Sequence, residues 1–130
     1  RDKLTDKQNT AAGLIRDLAG GIDVDQLPSG NTSIELKLAD IGDSPIGYIH
    51  VRDGKVQVCD TDLGFDVDVF IASTLDVMTR IWYGEVTIQA AIETGEMRVS
   101  APPVYTRRIS RWLGISSFTT DNPTLGIQPA

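Results

Sequence analysis

Four aspartates near the middle of the sequence could hold a metal ion: Asp60, Asp62, Asp66 and Asp68. Carboxylates with this spacing are typical calcium ligands, and residues 60–64 begin like a calcium-binding loop. The glycine falls at loop position five instead of six, and position twelve is Ile71, where the loop requires a bidentate glutamate. We therefore predict no metal site and interpret the aspartates as a solvated hairpin end and the wet face of a strand.

A second cluster is basic and consists of Arg107, Arg108 and Arg111 on a predicted last helix. Basic residues are favoured near a helix C-terminus, so a solvated helix face explains them. A docking site for an anionic headgroup or for an acidic partner is the alternative. Direct contact with nucleic acid is disfavoured, because 18 acidic residues against 12 basic ones give the chain a net charge of −6.

Residues for nucleophilic or transition-metal catalysis are missing from the sequence. His50 is the single histidine and Cys59 the single cysteine, and no G-x-S-x-G elbow, H-E-x-x-H, C-x-x-C, Walker or G-x-G-x-x-G motif is present. We predict no catalytic residue, no metal and no cofactor; His50 and Asp66 are the acid–base candidates if the chain is an enzyme after all. A lone cysteine cannot form an internal disulfide, which favours a reducing, cytoplasmic location.

The elements that must position any site follow from hydrophobic periodicity. Alternating patterns predict five strands, at 33–39, 46–52, 55–59, 65–72 and 96–101. Helical spacing predicts helices at 6–19, 73–83, 87–94 and 103–113. No apolar run approaches the length of a membrane span. The order predicts an α+β fold, in which helices cover one face of a five-stranded, largely antiparallel sheet whose consecutive strands are joined by hairpin-like connections.

The apolar residues of 65–118 indicate either a plain core or an incompletely filled one. The helices between the fourth and fifth strands are short and leave much of the sheet to cover. Phe70 and Ala72 are apolar, although they lie on the same predicted strand face as Asp66 and Asp68, which are expected to contact water. A ligand, a partner or the last helix would have to cover that end. Since ligand pockets are mostly apolar and often lie between sheet and helices, we predict a pocket there.

Residues 65–99 contain a D-x8-L element from Asp66 to Leu75, the Trp82-Tyr83-Gly84-Glu85 helix end, a short Ala90-Ala91 helix and a Gly95-x3-Val99 strand. This pattern resembles a sterol carrier protein-type domain. The stretch 112–118, Trp-Leu-Gly-Ile-Ser-Ser-Phe, resembles the C-terminus of some HxlR-type winged-helix regulators. The resemblance implies a tunnel for a fatty acid, a sterol or a similar lipid, and a carrying or sensing role without catalysis. The family commonly has a glycine after the fifth strand, where Ser100 stands here, so the tunnel mouth is expected to differ.

These considerations give a definite hypothesis. Residues 1–30 form an N-terminal helix and linker, 31–118 a sterol-carrier-like ligand-binding domain, and 119–130 a flexible tail. The domain is expected to sense an apolar small molecule in a bacterial transcription regulator whose DNA-binding part lies outside this chain, which begins with Arg1 and looks like part of a longer product. A structural or dimerisation domain with a filled core is the alternative, and a homodimer is left open. The predicted ligand-binding residues are Ile71, Met78, Ile81, Trp82, Ile88 and Met97, with Trp112 and Phe118 as a lid.

Overall fold

The computed structural model describes residues 3–28, 31–42, 45–61, 64 and 66–113. Phe118 and the predicted tail at 119–130 lie outside them. The helices are α1 (Lys3–Gly20), α2 (Leu75–Trp82), α3 (Ile88–Thr94), α4 (Pro103–Thr106) and α5 (Ile109–Trp112), with a 3₁₀ turn at Val24–Gln26. The strands are β1 (Thr32–Leu38), β2 (Gly47–Arg52), β3 (Lys55–Cys59), β4 (Val69–Ser73) and β5 (Arg98–Ser100).

The five strands form one mixed sheet in the order β3-β2-β1-β4-β5. Three of the four neighbouring pairs are antiparallel, and β1 pairs with β4 in parallel. The predicted α+β class with a largely antiparallel five-stranded sheet is confirmed. The predicted hairpin-like connection from β3 to β4 is wrong, because β4 lies on the far side of β1. Alternation of side chains tells which face of a strand is buried, but it does not identify the neighbouring strand.

Strand β4 also begins later than the sequence pattern predicted, at Val69 instead of residue 65. The residue before it, Asp68, is bonded to the start of β1. Its backbone N–H donates to the Ser33 carbonyl at 2.8 Å, and its carboxylate Oδ2 accepts the Ser33 N–H at 2.9 Å. Asp66 and Asp68 are therefore not the wet face of a strand, and Asp68 joins β4 to β1 where their parallel pairing begins.

The hairpin turn and the helix N-caps are formed by residues close together in the chain. Asp53 and Gly54 have φ of 54° and 80°, the left-handed conformation that a two-residue hairpin turn needs. The Thr87 hydroxyl accepts the Ala90 N–H at 3.0 Å as the N-cap of α3. At α2 the cap is Thr74, which accepts the Val77 N–H at 3.1 Å, so the helix begins at Leu75 instead of the predicted residue 73. Ser73 still belongs to β4 and its hydroxyl donates to the Glu96 carbonyl at 2.8 Å.

The predicted last helix is divided into two short helices, α4 and α5. The chain leaves helical geometry at Arg108, whose φ is −120° and ψ is 17°. The indole N–H of the buried Trp112 donates to the Tyr105 carbonyl at 2.8 Å. A buried indole needs an acceptor, and this one uses a carbonyl that a continuous helix would have bonded to the Ile109 N–H. The division breaks the i, i+4 helical spacing expected between Arg107 and Arg111.

The core lies between one face of the sheet and the helices. Helix α1 packs against β2, β3 and α2, and its Leu14, Ile15 and Leu18 are buried. Gly47 of β2 makes this approach possible, because a Cβ there would lie 2.7 Å from Ile15 Cδ1. Most of the buried apolar side chains that the sheet and the other helices contribute belong to the same cluster. Among the described residues, no helix is long and apolar enough to cross a bilayer.

Candidate functional site

Six of the predicted ligand-binding residues lie together in the layer between sheet and helices. None of them is more than 2% exposed: Ile71, Met78, Ile81, Ile88, Met97 and Trp112. They come from β4, α2, α3, the approach to β5, and α5. Trp82 ends α2 at the margin of this layer and is half-buried. We call these seven residues the apolar layer; Phe118, the other predicted lid residue, lies outside the described residues.

Trp112 is held in this layer by several contacts. Its indole N–H donates to the Tyr105 carbonyl, and its own carbonyl accepts the Asp23 N–H at 2.9 Å. The Tyr105 ring meets it edge-on, with 6.3 Å between ring centroids. The Tyr105 hydroxyl is 3.1 Å from the Thr32 hydroxyl at the start of β1. These contacts make Trp112 a fixed wall of the layer in this conformation.

A small cleft of about 170 Å³ separates α1 from α2 beside Trp82. Gly13 and Leu14 line it from α1, Thr79 and Trp82 line it from α2, and Tyr83 stands next to it with 67% of its surface exposed. A Cβ added to Gly13 would meet nothing within 4 Å. We call this the α1–α2 cleft. Trp82 thus belongs both to the apolar layer and to the lining of this cleft, to which Thr10 and Asp17 also contribute.

A larger cleft of about 500 Å³, which no sequence pattern predicted, lies at the carboxyl ends of β1 and β4. Its lining is polar and small: Lys37, Ala39, Gly42, Ala72, Ser73, Thr74, Val77, Gly95, Glu96 and Arg98. We call it the strand-end cleft. The alternation of buried and exposed residues in β1 and β4 could have indicated this cleft, because it places Lys37 and Ala72 on the sheet face away from the helices.

Two of the three clustered arginines, Arg107 and Arg108, line a third cleft, of about 200 Å³, together with Gln26, Pro28 and Val104. Arg107, Arg108 and Arg111 are all exposed, which agrees with the solvated face expected from the sequence. Among the described residues, no group of three histidine, cysteine, aspartate or glutamate side chains could hold a metal ion.

His50 lies on the sheet face away from the helices, yet it is only 2% exposed. Its Nδ1 is 2.9 Å from the Ser33 hydroxyl, to which Arg52 Nη2 also donates at 2.7 Å. The Tyr48 ring stacks on the imidazole with 6.1 Å between centroids. A serine beside a histidine could be a nucleophile and its base, but Ser33 is fully buried and its hydroxyl accepts from an arginine. The arrangement joins β1 to β2 and offers no access to a substrate.

The sequence matches no protein-family profile and no curated protein. Solved structures do match. One is the stereoselective inverting sec-alkylsulfatase from Pseudomonas sp. (TM-score 0.56, 16% identity, 75% of this chain). Another is the UbiJ-SCP2 ubiquinone synthesis protein (TM-score 0.54, 14% identity, 74% of this chain and 76% of that one). A third is sterol carrier protein 2-like 2 from Aedes aegypti (TM-score 0.52, 16% identity, 78% of this chain and 94% of that one).

The fold is that of sterol carrier protein 2 (SCP2). The SCP2 fold expected from residues 65–99 is therefore confirmed, whereas the resemblance of 112–118 to HxlR-type regulators stays a prediction. The chain spans 15% of the length of the sulfatase it matches. A solution structure of the palmitated Aedes protein also matches, with a TM-score of 0.51, 16% identity, and coverage of 77% of this chain and 90% of that one. At these identities the likeness shows the SCP2 fold alone.

Proposed function

We propose that this chain binds an apolar small molecule, such as a fatty acid or a sterol, within the apolar layer and without catalysis. The observation that carries the proposal is the α1–α2 cleft, which is lined by Trp82, the one residue that it shares with the buried apolar layer. The palmitated Aedes protein with the same fold supports a fatty acid as the ligand class. In this proposal Trp82 stands at the mouth, and Ile71, Met78, Ile81, Ile88, Met97, Trp112 and Phe118 surround the ligand.

The layer is closed in this conformation, so a ligand has to part the helices from the sheet. Helices α2 and α3 have eight and seven residues, and each can move as a short unit. Met78 and Met97, both 0% exposed, lie within the layer. Unbranched thioether side chains repack around guests of different shape more readily than branched ones. Each buried methylene of a guest contributes about 0.8 kcal/mol, so an acyl chain can offset the cost of opening the layer.

The finer proposal is that the chain is the sensor part of a bacterial transcription regulator in the cytoplasm. Its support is the resemblance of 112–118 to HxlR-type regulators, together with the single Cys59, which favours a reducing compartment. DNA contact would belong to a winged helix outside this chain. The ligand could change DNA affinity only by binding the open and closed packings of the apolar layer with different affinities.

A second candidate is a structural or dimerisation domain whose core is simply filled. The burial of six predicted ligand-binding residues to 2% exposure or less favours it. A filled core would leave the α1–α2 cleft as a shallow surface feature. The two candidates differ in whether a leucine side chain placed in that cleft changes ligand binding.

Palmitate titration of the protein separates these candidates, with tryptophan emission and native mass spectrometry as the readouts. Gly13→Leu places a side chain in the α1–α2 cleft, whereas Ala12→Leu places the same side chain on the exposed side of α1 and is the matched control. We expect palmitate to bind the native chain and Ala12→Leu, and to bind Gly13→Leu at least tenfold more weakly. Absence of bound palmitate and of an emission change would contradict ligand binding, and a dimer by light scattering would then establish the second candidate.

A further inference from the structure

The strand-end cleft is built over one row of side chains that crosses three strands. Lys37 of β1 is paired in register with Ala72 of β4, and Ala72 with Arg98 of β5. All three alternate with residues that face the helices, so they lie on the opposite face of the sheet. Neighbouring strands are about 4.8 Å apart, so the Lys37 and Arg98 backbones stand about 10 Å apart with a methyl group between them. The row therefore forms a basin with an apolar floor and a cation on each side.

The cleft above this row has the size of a small-molecule site. Its volume of about 500 Å³ lies within the range of ligand pockets, roughly 300 to 1,000 Å³. Ala39 and Gly42 follow β1, Val77 belongs to α2, and Gly95 ends α3. Small residues at these places leave the space open, and Ala72 is partly exposed at its floor. A compact apolar body would fit between the two cations.

Two basic side chains and one carboxylate line the cleft. Within the part of the chain that the structure describes, neither Lys37 nor Arg98 forms an ion pair, and both side chains are exposed. The carboxylate in the lining, Glu96, is bound by Arg80 Nη2 at 3.1 Å and by the Thr94 hydroxyl at 2.9 Å. Two free cations face one cavity in a chain whose net charge is −6. An anion in the cleft would be attracted by both of them.

The cleft lies where the parallel strand pair ends. Strands β1 and β4 are parallel, so their carboxyl ends lie at the same edge of the sheet, and the cleft is at that edge. The N-terminus of α2 is already satisfied, since Asp40 accepts the Leu75 N–H at 2.7 Å and Thr74 accepts the Val77 N–H. Recognition of an anion would therefore depend on Lys37 and Arg98.

We propose that the strand-end cleft binds a small organic anion, a carboxylate or sulfate carried on a short apolar body. The anion lies between Lys37 and Arg98, whose charged hydrogen bonds are the strong ones, and the apolar body rests on Ala72 and Val77. The floor of this site lies on the sheet face opposite the apolar layer, whereas Val77 lines it from α2. Its failure would leave the proposal of lipid binding in that layer untouched, because different residues report the two sites.

The test is a titration of the ¹⁵N-labelled protein with octanoate, followed by NMR. We expect saturable shifts of the Ala72, Val77 and Gly95 amides. Lys37→Gln and Arg98→Gln should each weaken binding at these amides at least tenfold. Arg107→Gln removes an exposed cation that lines a different cleft, and it should leave the affinity unchanged. Octanoate shifts confined to Met78 and Met97, or equal affinity in all three variants, would overturn the proposal.

Two further probes and one variant examine the ligand class. 1-Octanol has the same apolar body without the charge, and inorganic sulfate has the charge without the body. We expect each to bind the cleft at least tenfold more weakly than octanoate, and equal binding of either one would overturn the claimed ligand class. Ala72→Leu fills the floor and keeps both cations. We expect it to abolish the octanoate shifts at Gly95 while circular dichroism stays that of the native chain; undiminished binding would place the anion elsewhere.

Discussion

The two faces of the five-stranded sheet are covered in different ways. On the face towards the helices, Ile34, Leu36 and Ile71 are at most 2% exposed and belong to one apolar cluster. On the other face, the row of Lys37, Ala72 and Arg98 stays open to solvent beneath a cleft of about 500 Å³. The helix-covered face provides the apolar burial that stabilises the fold. Charged side chains on the opposite face stay in contact with water, so they avoid the free-energy cost of burying a charge. Recognition of a polar group is therefore expected there.

The opposite face is itself divided into two ends. At the end where β1 begins, Ser33 and His50 are buried and hydrogen-bonded, and Asp68 is bonded to the Ser33 backbone. At the end where β1 finishes, the cations face a cavity and have no ion partner among the described residues. A buried polar group is costly unless it is paired, whereas an exposed cation needs no partner. The first end is therefore expected to matter for stability and the second for binding.

The largest effect on stability is expected from Trp112→Ala on the helix-covered face. The substitution removes a fully buried indole and its bond to the Tyr105 carbonyl, and losses of this kind cost about 3 to 5 kcal/mol. Phe70→Ala removes an aromatic ring that is 43% exposed on the opposite face, and it should cost about 1 kcal/mol or less. Urea denaturation measures both. Equal losses in the two variants would mean that the faces do not differ as described.

Gly47→Ala examines how closely α1 approaches the sheet. The added Cβ would lie 2.7 Å from Ile15 Cδ1 and 3.1 Å from the Cys59 carbonyl oxygen, and overpacking of this kind costs about 1 to 3 kcal/mol. Gly13→Ala is the control, because its Cβ meets nothing and an alanine inside a helix should stabilise the chain by about 0.5 to 1 kcal/mol. The two melting temperatures should shift in opposite directions. A stabilised Gly47→Ala variant would contradict the close packing of α1.

The helix-covered face was largely predictable from the sequence, because hydrophobic spacing reports burial directly. The strand patterns around Ile34 and Leu36 and the helix stripe of Met78 and Ile81 identified core positions without a structure. The hairpin turn at Asp53-Gly54 was predictable because an aspartate followed by a glycine readily adopts the positive φ that a two-residue turn requires. These features depend on residues close together in the chain, so local chemistry is sufficient to recognise them.

The strand-end cleft and the division of the last helix were not predictable in the same way. The cleft requires β4 to lie beside β1, and nothing in the pattern of residues 55–73 fixes that neighbour. The break at Arg108 depends on where the Trp112 indole finds its acceptor in the folded chain. The burial of His50 likewise depends on its contact with Ser33, 17 residues away. Long-range pairing decides the cleft and the burial of His50, and a side-chain contact within residues 105–112 decides the break; hydrophobic periodicity reports none of these.

Ser33→Ala examines the buried end of the opposite face. It removes the hydroxyl that lies 2.9 Å from His50 Nδ1 and accepts from Arg52 at 2.7 Å. Loss of a buried partner of this kind should cost about 1 to 3 kcal/mol. Ser100→Ala makes the same chemical change at an exposed position of β5 and should stay within about 0.5 kcal/mol of the native chain. Chemical denaturation compares them, and a neutral Ser33→Ala would show that these bonds contribute little.

The smallest effect on stability is expected at the other end of that face. Lys37 and Arg98 are exposed and lack an ion partner among the described residues, so Lys37→Gln and Arg98→Gln remove no stabilising contact that the structure shows. Each substitution also relieves repulsion between two like charges, carried on backbones about 10 Å apart, which solvent already screens. We expect both variants to unfold within about 0.5 kcal/mol of the native chain. A loss above 1 kcal/mol would show that the cations support the fold. Unchanged stability together with lost octanoate binding would instead assign them to recognition, because a side chain that contributes nothing to folding but is needed for a ligand is acting as a ligand contact.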